Sequence, residues 1–365
     1  MKFKNQIVRF VAMVVAVLFT FSCTEDDKKE VTRLQTTDAF LVENAGKYSI
    51  LRSALAKTGL LATLQNAGSY TIFAPSNAAF VAKNITQASV DGLSTTNPAD
   101  AVAIANLKVV LQNHVLTPGT RAADLLAGGY FRTFGFFRAN APLAPTPATA
   151  LLTTGSQLSI FVNKVGDNVL INGGPTNGGA TVTAADIDLS NGVLHEIDAV
   201  LALPTILNHL VANPALFGTL VSVVTSTSGT FGDQTAVRNV VTGATNLAAR
   251  TIMCPTNTAF ANAQTGTGFL QGALVTPANV TKVLQYHILT PGNRLRTFFV
   301  DNFVVNTSIP TPTQTWTSFT TGTLGVRIQD NGTAPNNISR YALPEIQGVN
   351  GILHPIDKVL QPFLP

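Results

Sequence analysis

Charged residues are scarce in this chain. Lysine, arginine, aspartate and glutamate make up 12% of its 365 residues, whereas an average globular domain carries about 25%. Cysteines are scarce too, because the sequence holds only Cys23 and Cys254, which excludes a framework of several disulfides. The polar surface must therefore come mainly from Thr, Asn, Ser and Gln. Stability must come from buried cores, and the chain is long enough to form two of them.

The N-terminal apolar run is too short to cross a membrane as a helix. It covers residues 10–21 (FVAMVVAVLFTF), whereas a spanning helix needs about 20 residues. Three basic residues, Lys2, Lys4 and Arg9, precede the run. Basic residues followed by a short apolar stretch and a small residue, here Ser22, are the order of a signal peptide. We therefore predict a signal peptide over residues 1–22.

Cys23 comes directly after this run, and its position resembles the lipid-modified cysteine of bacterial lipoproteins. The resemblance implies cleavage before Cys23 and acylation of this residue, usually with more than one acyl chain. Two membrane signals, here two acyl chains, are enough for stable anchoring. The charged segment after it, TEDDKKE, resembles the export tag of surface lipoproteins in Bacteroidota. We interpret residues 23–35 as the lipidated tether of a surface-exposed outer-membrane lipoprotein. The alternatives are a secreted protein with an unmodified thiol, and a plain solvated linker.

The charge balance changes when the signal peptide is removed. The full chain has a formal net charge of +4, and loss of its three N-terminal basic residues leaves 20 basic and 19 acidic residues. A net charge of +1 provides no electrostatic basis for binding nucleic acid. We therefore expect no nucleic-acid partner.

Three sequence segments recur in the same order in the two halves of the chain. They are YTIFAPSNAAF (70–80) with RTIMCPTNTAF (250–260), VLQNHVLTPGTR (110–121) with VLQYHILTPGNR (283–294), and NGVLHEIDAVLALP (191–204) with NGILHPIDKVLQPFLP (350–365). A repeated set of motifs indicates two copies of one structural unit. We place the two domains at residues 36–203 and 204–365.

Local patterns predict helices early in each half and strands later. Leucine spacing predicts helices over residues 48–65 and 205–224, and Ser76 and Thr256 are predicted helix starts. The Asn-Gly pairs at 191 and 350 predict type I′ hairpins followed by strands. Residues 141–150 and 308–316, rich in Pro and Thr, predict loops, where binding and variation usually occur.

Together the three segments resemble the homology blocks and central motif of fasciclin domains. The resemblance implies an α+β fold of two tandem domains, each a β-wedge or sandwich with helices packed at one end. It also implies a non-catalytic role in cell adhesion, with an extracellular protein or polysaccharide as partner and no cofactor.

The resemblance also supplies candidate binding residues. Adhesive fasciclin domains have been linked to a Tyr-His pair in the middle of the domain and an Asp-Ile pair before the last block. The first pair corresponds here to Asn113-His114 and Tyr286-His287, and the second to Asp186-Ile187 and Glu345-Ile346. Asn113 and Glu345 depart from the family pattern, which puts an integrin-type contact in doubt.

Four of the five histidines recur, and we interpret them as structural residues. His114 and His287 lie among apolar residues, and we expect backbone hydrogen bonds to their neutral rings. His195 and His354 share a strand face with Val and Ile, where burial favours the neutral ring. Strand alternation puts Asp198 and Asp357 on the opposite face, so we predict backbone acceptors there and no catalytic His-Asp pair.

Metal and nucleophile chemistry find little support in the sequence. A zinc site needs three or four convergent ligands, and each half offers two recurring histidines without a cysteine partner, so we predict no metal. Cys254 replaces Ala74 of the first half, and we interpret it as a small buried residue.

These features favour a surface-tethered binding module without catalytic activity. The alternative is an envelope component that captures glycans beside an outer-membrane uptake system. In that case one or two rings of the Tyr130–Phe137 cluster, or Trp316, would stack on sugars, although most of the cluster is expected in the core. An enzyme of unknown type is the third hypothesis.

Overall fold

The computed structural model describes residues 34–66, 68–125, 128–136, 157–243, 250–264, 276–289 and 345–362, and four short strands between 307 and 340. Residues 1–33, with the predicted signal peptide, Cys23 and most of the tether, lie outside the described residues. So do Phe137 and the predicted loop at 141–150. From Gln35 onward the chain forms one compact unit that contains both sequence repeats.

The first domain opens with helices and closes with strands. Its elements are α1 (Thr37–Glu43), α2 (Ala45–Lys57), α3 (Leu60–Gln65), β1 (Tyr70–Pro75), α4 (Asn77–Val81), α5 (Gln87–Asp91), α6 (Ala101–Gln112), β2 (Val115–Leu116), α7 (Ala122–Leu125), β3 (Gly129–Phe136), β4 (Gln157–Val165), β5 (Asn168–Ile171), β6 (Ala180–Leu189) and β7 (Gly192–Ile197). The seven strands form a closed ring in chain order. Neighbours are antiparallel except where β7 closes the ring against β1 in parallel, from Tyr70 opposite Gly192 to Pro75 opposite Ile197.

The second domain repeats this order. Its elements are α8 (Ile206–Ala212), α9 (Pro214–Val224), α10 (Thr235–Thr242), β8 (Arg250–Pro255), α11 (Asn257–Gln264), α12 (Pro277–Tyr286), β9 (Ile288–Leu289), β10 (Thr307–Pro310), β11 (Thr315–Thr320), β12 (Val326–Gln329), β13 (Ile338–Arg340), β14 (Ile346–Gly348) and β15 (Gly351–Ile356). Its strands form two four-stranded sheets, β14-β15-β8-β9 and β10-β11-β12-β13. Strand β15 again pairs in parallel with β8.

Each domain has its own apolar core between helices and sheet. In the first domain, helix α2 contributes Leu51 and Leu55, and strand β1 contributes Ile72. In the second domain, Leu220 of α9 and Ile252 of β8 occupy corresponding places. Burial of such side chains stabilises a domain by about 1.5–3 kcal/mol each relative to leaving them exposed. The leucine spacing in the sequence therefore marks the faces that the helices turn towards the sheet.

The two predicted helix starts are confirmed. The Ser76 hydroxyl accepts a hydrogen bond from the Ala79 N–H at 3.3 Å, and the Thr256 hydroxyl accepts one from the Ala259 N–H at 3.2 Å. Each hydroxyl satisfies one backbone donor that the first helical turn leaves free.

The predicted type I′ turns at the Asn-Gly pairs are wrong. The turn residues are Ser190-Asn191 and Val349-Asn350, and the glycine of each pair is already the first residue of a strand, at φ 149° in Gly192. A Cβ at Gly192 would lie 2.0 Å from the Tyr70 carbonyl oxygen. Close packing of β7 on β1 therefore requires this glycine, and the turn does not.

The predicted loop at 308–316 is also partly wrong. Its ends belong to strands β10 and β11, which pair so that Ile309 lies opposite Trp316 and Pro310 opposite Thr315. Strand β10 is at the edge of its sheet, where proline is tolerated because no ladder hydrogen bond is lost.

Candidate functional site

The histidine of the second recurring segment makes the same two hydrogen bonds in both domains. His114 Nδ1 donates to the Val110 carbonyl at 2.7 Å, and its Nε2 accepts from the Leu201 N–H at 2.9 Å. His287 repeats this geometry with the Val283 carbonyl at 2.7 Å and the Leu360 N–H at 2.8 Å. Each ring therefore ties the end of a helix to the segment that follows the last strand.

Both of these rings must be neutral to make the second bond. Because Nε2 accepts from an N–H, it cannot itself carry a proton. Burial lowers the pKa of His114 and of His287 to about 4, although the backbone hydrogen bond of Nδ1 acts in the opposite direction. The neutral form therefore predominates at physiological pH.

Burial corrects the prediction that these motifs form a binding surface. Asn113 and Tyr286 are 0% exposed, and His114 and His287 are 2% and 3% exposed. Asn113 is held by the Ala202 carbonyl, to which its amide donates at 3.3 Å. A partner protein could not reach these four side chains while the domains are folded, so in this structure they maintain the core.

The Asp-Ile pair of the first domain is likewise used internally. Asp186 lies at an irregularity of β6 with φ at 58°, and its carboxylate accepts the Ala122 N–H at 2.8 Å. Ile187 packs against the core. Both side chains remain half-exposed, so part of this pair stays accessible to a partner.

The corresponding pair of the second domain faces the first domain. Ile346 is 1% exposed, and Glu345 lies 3.9 Å from Arg132 of β3 in a loose ion pair. The prediction that Glu345 and Ile346 contact an outside ligand is therefore corrected for Ile346, which lies in the second core.

The recurring histidine of the third segment does not pair with the following aspartate. His195 Nε2 donates to the Thr120 carbonyl at 2.9 Å, and Nδ1 accepts from the Asp186 N–H at 3.2 Å. Burial lowers its pKa. Asp198 is exposed and accepts the Thr181 N–H at 2.7 Å. This is the backbone bond expected of it from the sequence.

In the second domain the histidine and the aspartate of this segment again differ in burial. His354 is fully buried on β15, opposite Met253 of β8. Asp357, directly after the strand, is exposed. The ring and the carboxylate thus lie in different environments, as they do in the first domain.

Recurring asparagines, which the sequence pattern assigns to turns, anchor each domain. Asn191 accepts from the Thr37 N–H and hydroxyl and donates to the Leu64 carbonyl. Asn350 accepts from the Ile206 N–H at 2.8 Å. Their position before glycine in both copies is the signal in the sequence that marks them.

The two domains differ in one polar cluster. In the first domain, the Tyr48 hydroxyl donates to Glu196 at 2.8 Å, and Lys47 pairs with the same carboxylate. Burial acts to raise the pKa of Glu196, but hydrogen bonds from Lys47, Tyr48 and Thr183 outweigh it and lower the pKa. At the matching positions the second domain has Phe217 and Pro355, which need no hydrogen bond.

A polar junction joins the domains. Tyr130 of β3 donates to the His209 carbonyl at 3.3 Å, with the two rings 5.8 Å apart in an edge-on contact. Of the remaining aromatic cluster, Phe131 and Phe134 pack against the cores of the first domain. The expectation that most of this cluster is core is confirmed for these described rings.

Few groups among the described residues are arranged as in a metal site, a nucleophilic site or a ligand pocket. Within them, no three His, Cys, Asp or Glu side chains converge as metal ligands do. Cys254 is fully buried, and burial raises the pKa of its thiol. It lines an apolar cavity of about 20 Å³ with residues such as Leu220 and His287, far smaller than the roughly 300–1,000 Å³ of ligand pockets.

The fold and motifs define a tandem pair of α+β domains, and the match to a protein-family model agrees. The family model described as Fasciclin domain matches residues 46–204 and 225–362, so the chain belongs to the fasciclin domain family. One similar solved structure is a FAS1 domain pair from the insect cell adhesion molecule fasciclin I. It has 15% sequence identity and a TM-score of 0.43, and the match covers 88% of this chain and 95% of that chain.

No curated protein sequence matches the chain. Within the described residues, none of the helices has both the length and the hydropathy needed to span a bilayer. Fasciclin domains are associated with cell adhesion or binding and are not a catalytic family.

Proposed function

We propose that this protein is a cell-surface binding module held to the outer membrane by a lipid on Cys23. The observation that carries the proposal is the duplicated fasciclin domain, which occupies most of the chain. The short apolar run and the cysteine directly after it support the anchor. The ligand class is an extracellular protein or a polysaccharide.

The structure narrows the part of each domain that is available for the ligand. The recurring histidines and asparagines hold the cores together, so the recurring motifs serve the architecture. Specificity then depends on surfaces and connections that differ between the domains. Residues 141–150 remain a predicted binding loop. The flanking strands β3 and β4 pair so that Phe136 lies opposite Gln157, and a short linker can therefore replace the connection between them.

The binding test uses a soluble version of the chain beginning at Val31, assayed against a panel of matrix proteins and glycans. In one variant, residues 139–154 are replaced by a short Gly-Ser linker. As a matched control, Asp167 in the exposed turn between β4 and β5 is changed to Asn. We expect the first variant to lose binding while both keep the wild-type melting temperature. Equal binding by the loop variant would remove this loop from the proposal.

The anchor is tested separately with Cys23→Ala in the full chain. We expect the wild-type protein in the membrane fraction, with incorporation of labelled fatty acid, and the variant without either. If the variant still fractionates with membranes and carries label, the lipid anchor at Cys23 is wrong.

Glycan capture beside an uptake system remains the alternative function. The exposed large apolar side chains of the described residues are aliphatic: Leu34, Val42, Val81, Val165 and Val211. Sugar binding would instead use aromatic faces. Binding to glycans alone on the panel would favour this alternative over adhesion to protein.

A further inference from the structure

The junction between the two domains contains a buried histidine that has no counterpart in the first domain. His209 of α8 is 0% exposed. Its Nε2 donates to the Gln347 carbonyl at 3.2 Å, and its Nδ1 has no hydrogen-bond partner among the described residues. The ring is therefore neutral, with one nitrogen satisfied and one unsatisfied.

The two elements that His209 connects are those that contact the first domain. On α8, Asn208 donates to the Asn177 carbonyl at 3.0 Å, and Asn177 donates back to the Asn208 carbonyl at 2.8 Å. On β14, the Gln347 N–H donates to the Ser159 hydroxyl at 3.1 Å. The His209–Gln347 bond thus lies between the two groups of cross-domain hydrogen bonds.

Few charged groups surround this ring. Tyr130 of β3 makes the direct ring contact, and Arg132 and Glu345 form a partly exposed pair across the same junction. The elements packed on α8 also carry Lys164 on β4, Arg238 on α10 and His354 on β15, and α9 carries no charge. Lys164 is exposed at the strand end.

We propose that this junction is an acid-sensitive contact in which His209 is the titrating group, so that the domains are held together at neutral pH and loosened at mildly acidic pH. A proton on Nδ1 adds a donor and a positive charge at a buried position without an acceptor. Burying an unpaired charge is strongly unfavourable, and opening the junction lets water reach the ring.

The size of the effect follows from the shift in proton affinity. Burial lowers the pKa of His209 to about 4, against 6.5 for an exposed ring, while the bond to the Gln347 carbonyl acts to raise it. The open form therefore binds the proton more tightly, and the junction loses stability as pH falls from 6.5 towards 4. Between pH 7.5 and pH 5 the opening equilibrium should increase about 30-fold.

Hydrogen exchange of the full chain, read by mass spectrometry at both pH values and divided by intrinsic exchange rates, tests the proposal. We expect the Gln347 amide of β14, whose N–H donates to Ser159 across the junction, to lose protection about 30-fold at pH 5. Peptides from β1 report unfolding of the first core, where His114 also takes up a proton, so their response to pH should be the same in the wild type and in His209→Gln. Unchanged protection at the junction in the wild-type protein overturns the proposal.

Two variants distinguish protonation of His209 from a general weakening of the junction. His209→Gln has no titrating proton, and we expect its junction protection to change less than about 3-fold between the two pH values. Ser159→Ala removes one cross-domain hydrogen bond and should raise opening by about 5-fold at both pH values, with the pH ratio preserved. A His209→Gln protein that keeps the full pH ratio assigns the titration to another group and overturns the proposal.

Discussion

Replacing His114 with leucine removes the hydrogen bond that ties the end of α6 to the segment after β7. Leucine has a similar volume but offers no acceptor, so the buried Leu201 N–H loses its partner. The Val110 carbonyl keeps a bond from the Asn113 N–H at 3.1 Å. Leaving one buried backbone donor unsatisfied costs about 1–3 kcal/mol, which is the loss of stability that we expect for His114→Leu at pH 7.

The same substitution should matter less in acid. The folded-state pKa of His114 is about 4, below the 6.5 of an exposed ring, so the unfolded chain takes up the proton more readily. The stabilising effect of the neutral ring is complete above about pH 7 and is lost as pH falls from 6.5 towards 4. Between pH 7 and pH 5 the wild type loses about 2 kcal/mol through this histidine, whereas the variant has no proton to gain there.

Urea unfolding, followed by circular dichroism at pH 7 and pH 5, measures both the loss of stability in the variant and its change with pH. The gap in unfolding free energy between wild type and variant should shrink by about 2 kcal/mol at the lower pH. His287→Leu is the matched variant in the second domain, where the Leu360 N–H loses the acceptor. Carboxylates with lowered pKa values, such as Glu196, are present in all three proteins and cancel in the comparison.

A constant gap at the two pH values would refute this account of the histidine. It would mean that His114 takes up a proton equally well in the folded and unfolded states. The hydrogen bond to the Leu201 N–H, which needs an unprotonated Nε2, would then be absent in solution.

Three further predictions concern other sites. Asp198→Ala removes a backbone acceptor and should lower stability by about 1–3 kcal/mol; an unchanged melting temperature, equal to that of the exposed control Asp167→Ala, would contradict this. In a double-mutant cycle, Tyr48→Phe and Glu196→Ala should couple by about 0.5–3 kcal/mol, because each change removes the one hydrogen bond that the two side chains share, and additive effects would show that the bond is not formed. The thiol of Cys254 should react with Ellman's reagent only after unfolding, and rapid labelling of the native protein would show that its site is accessible.

The parts of the fold that depend on neighbouring residues could be predicted from the sequence. Helix starts at Ser76 and Thr256 are decided within one helical turn, by a hydroxyl and a backbone N–H three residues away. The leucine spacing of α2 and α9 depends on local periodicity in the same way. These elements need no knowledge of the rest of the chain.

The parts of the fold that depend on distant contacts could not be predicted from the sequence. Gly192 is required by the Tyr70 carbonyl of a strand far back in the chain, whereas the sequence shows only an Asn-Gly pair that resembles a turn. Recurrence of His114 and His287 shows that the position matters, but it does not separate a buried hydrogen bond from a ligand contact. His209 has no repeat partner, and only the packing of the two domains reveals its position.

The parallel pairing of β7 with β1 also affects when a domain can finish folding. Strand β1 is made long before β7. It cannot complete its pairing until β7 has been made, because Tyr70 pairs with Gly192. Contacts so far apart in sequence slow folding, because a long loop must close first. The first domain can nevertheless complete its ring before the second is made. We expect a chain cut short just before residue 191 to leave β1 without its parallel partner, so that this open edge is prone to pair with other chains.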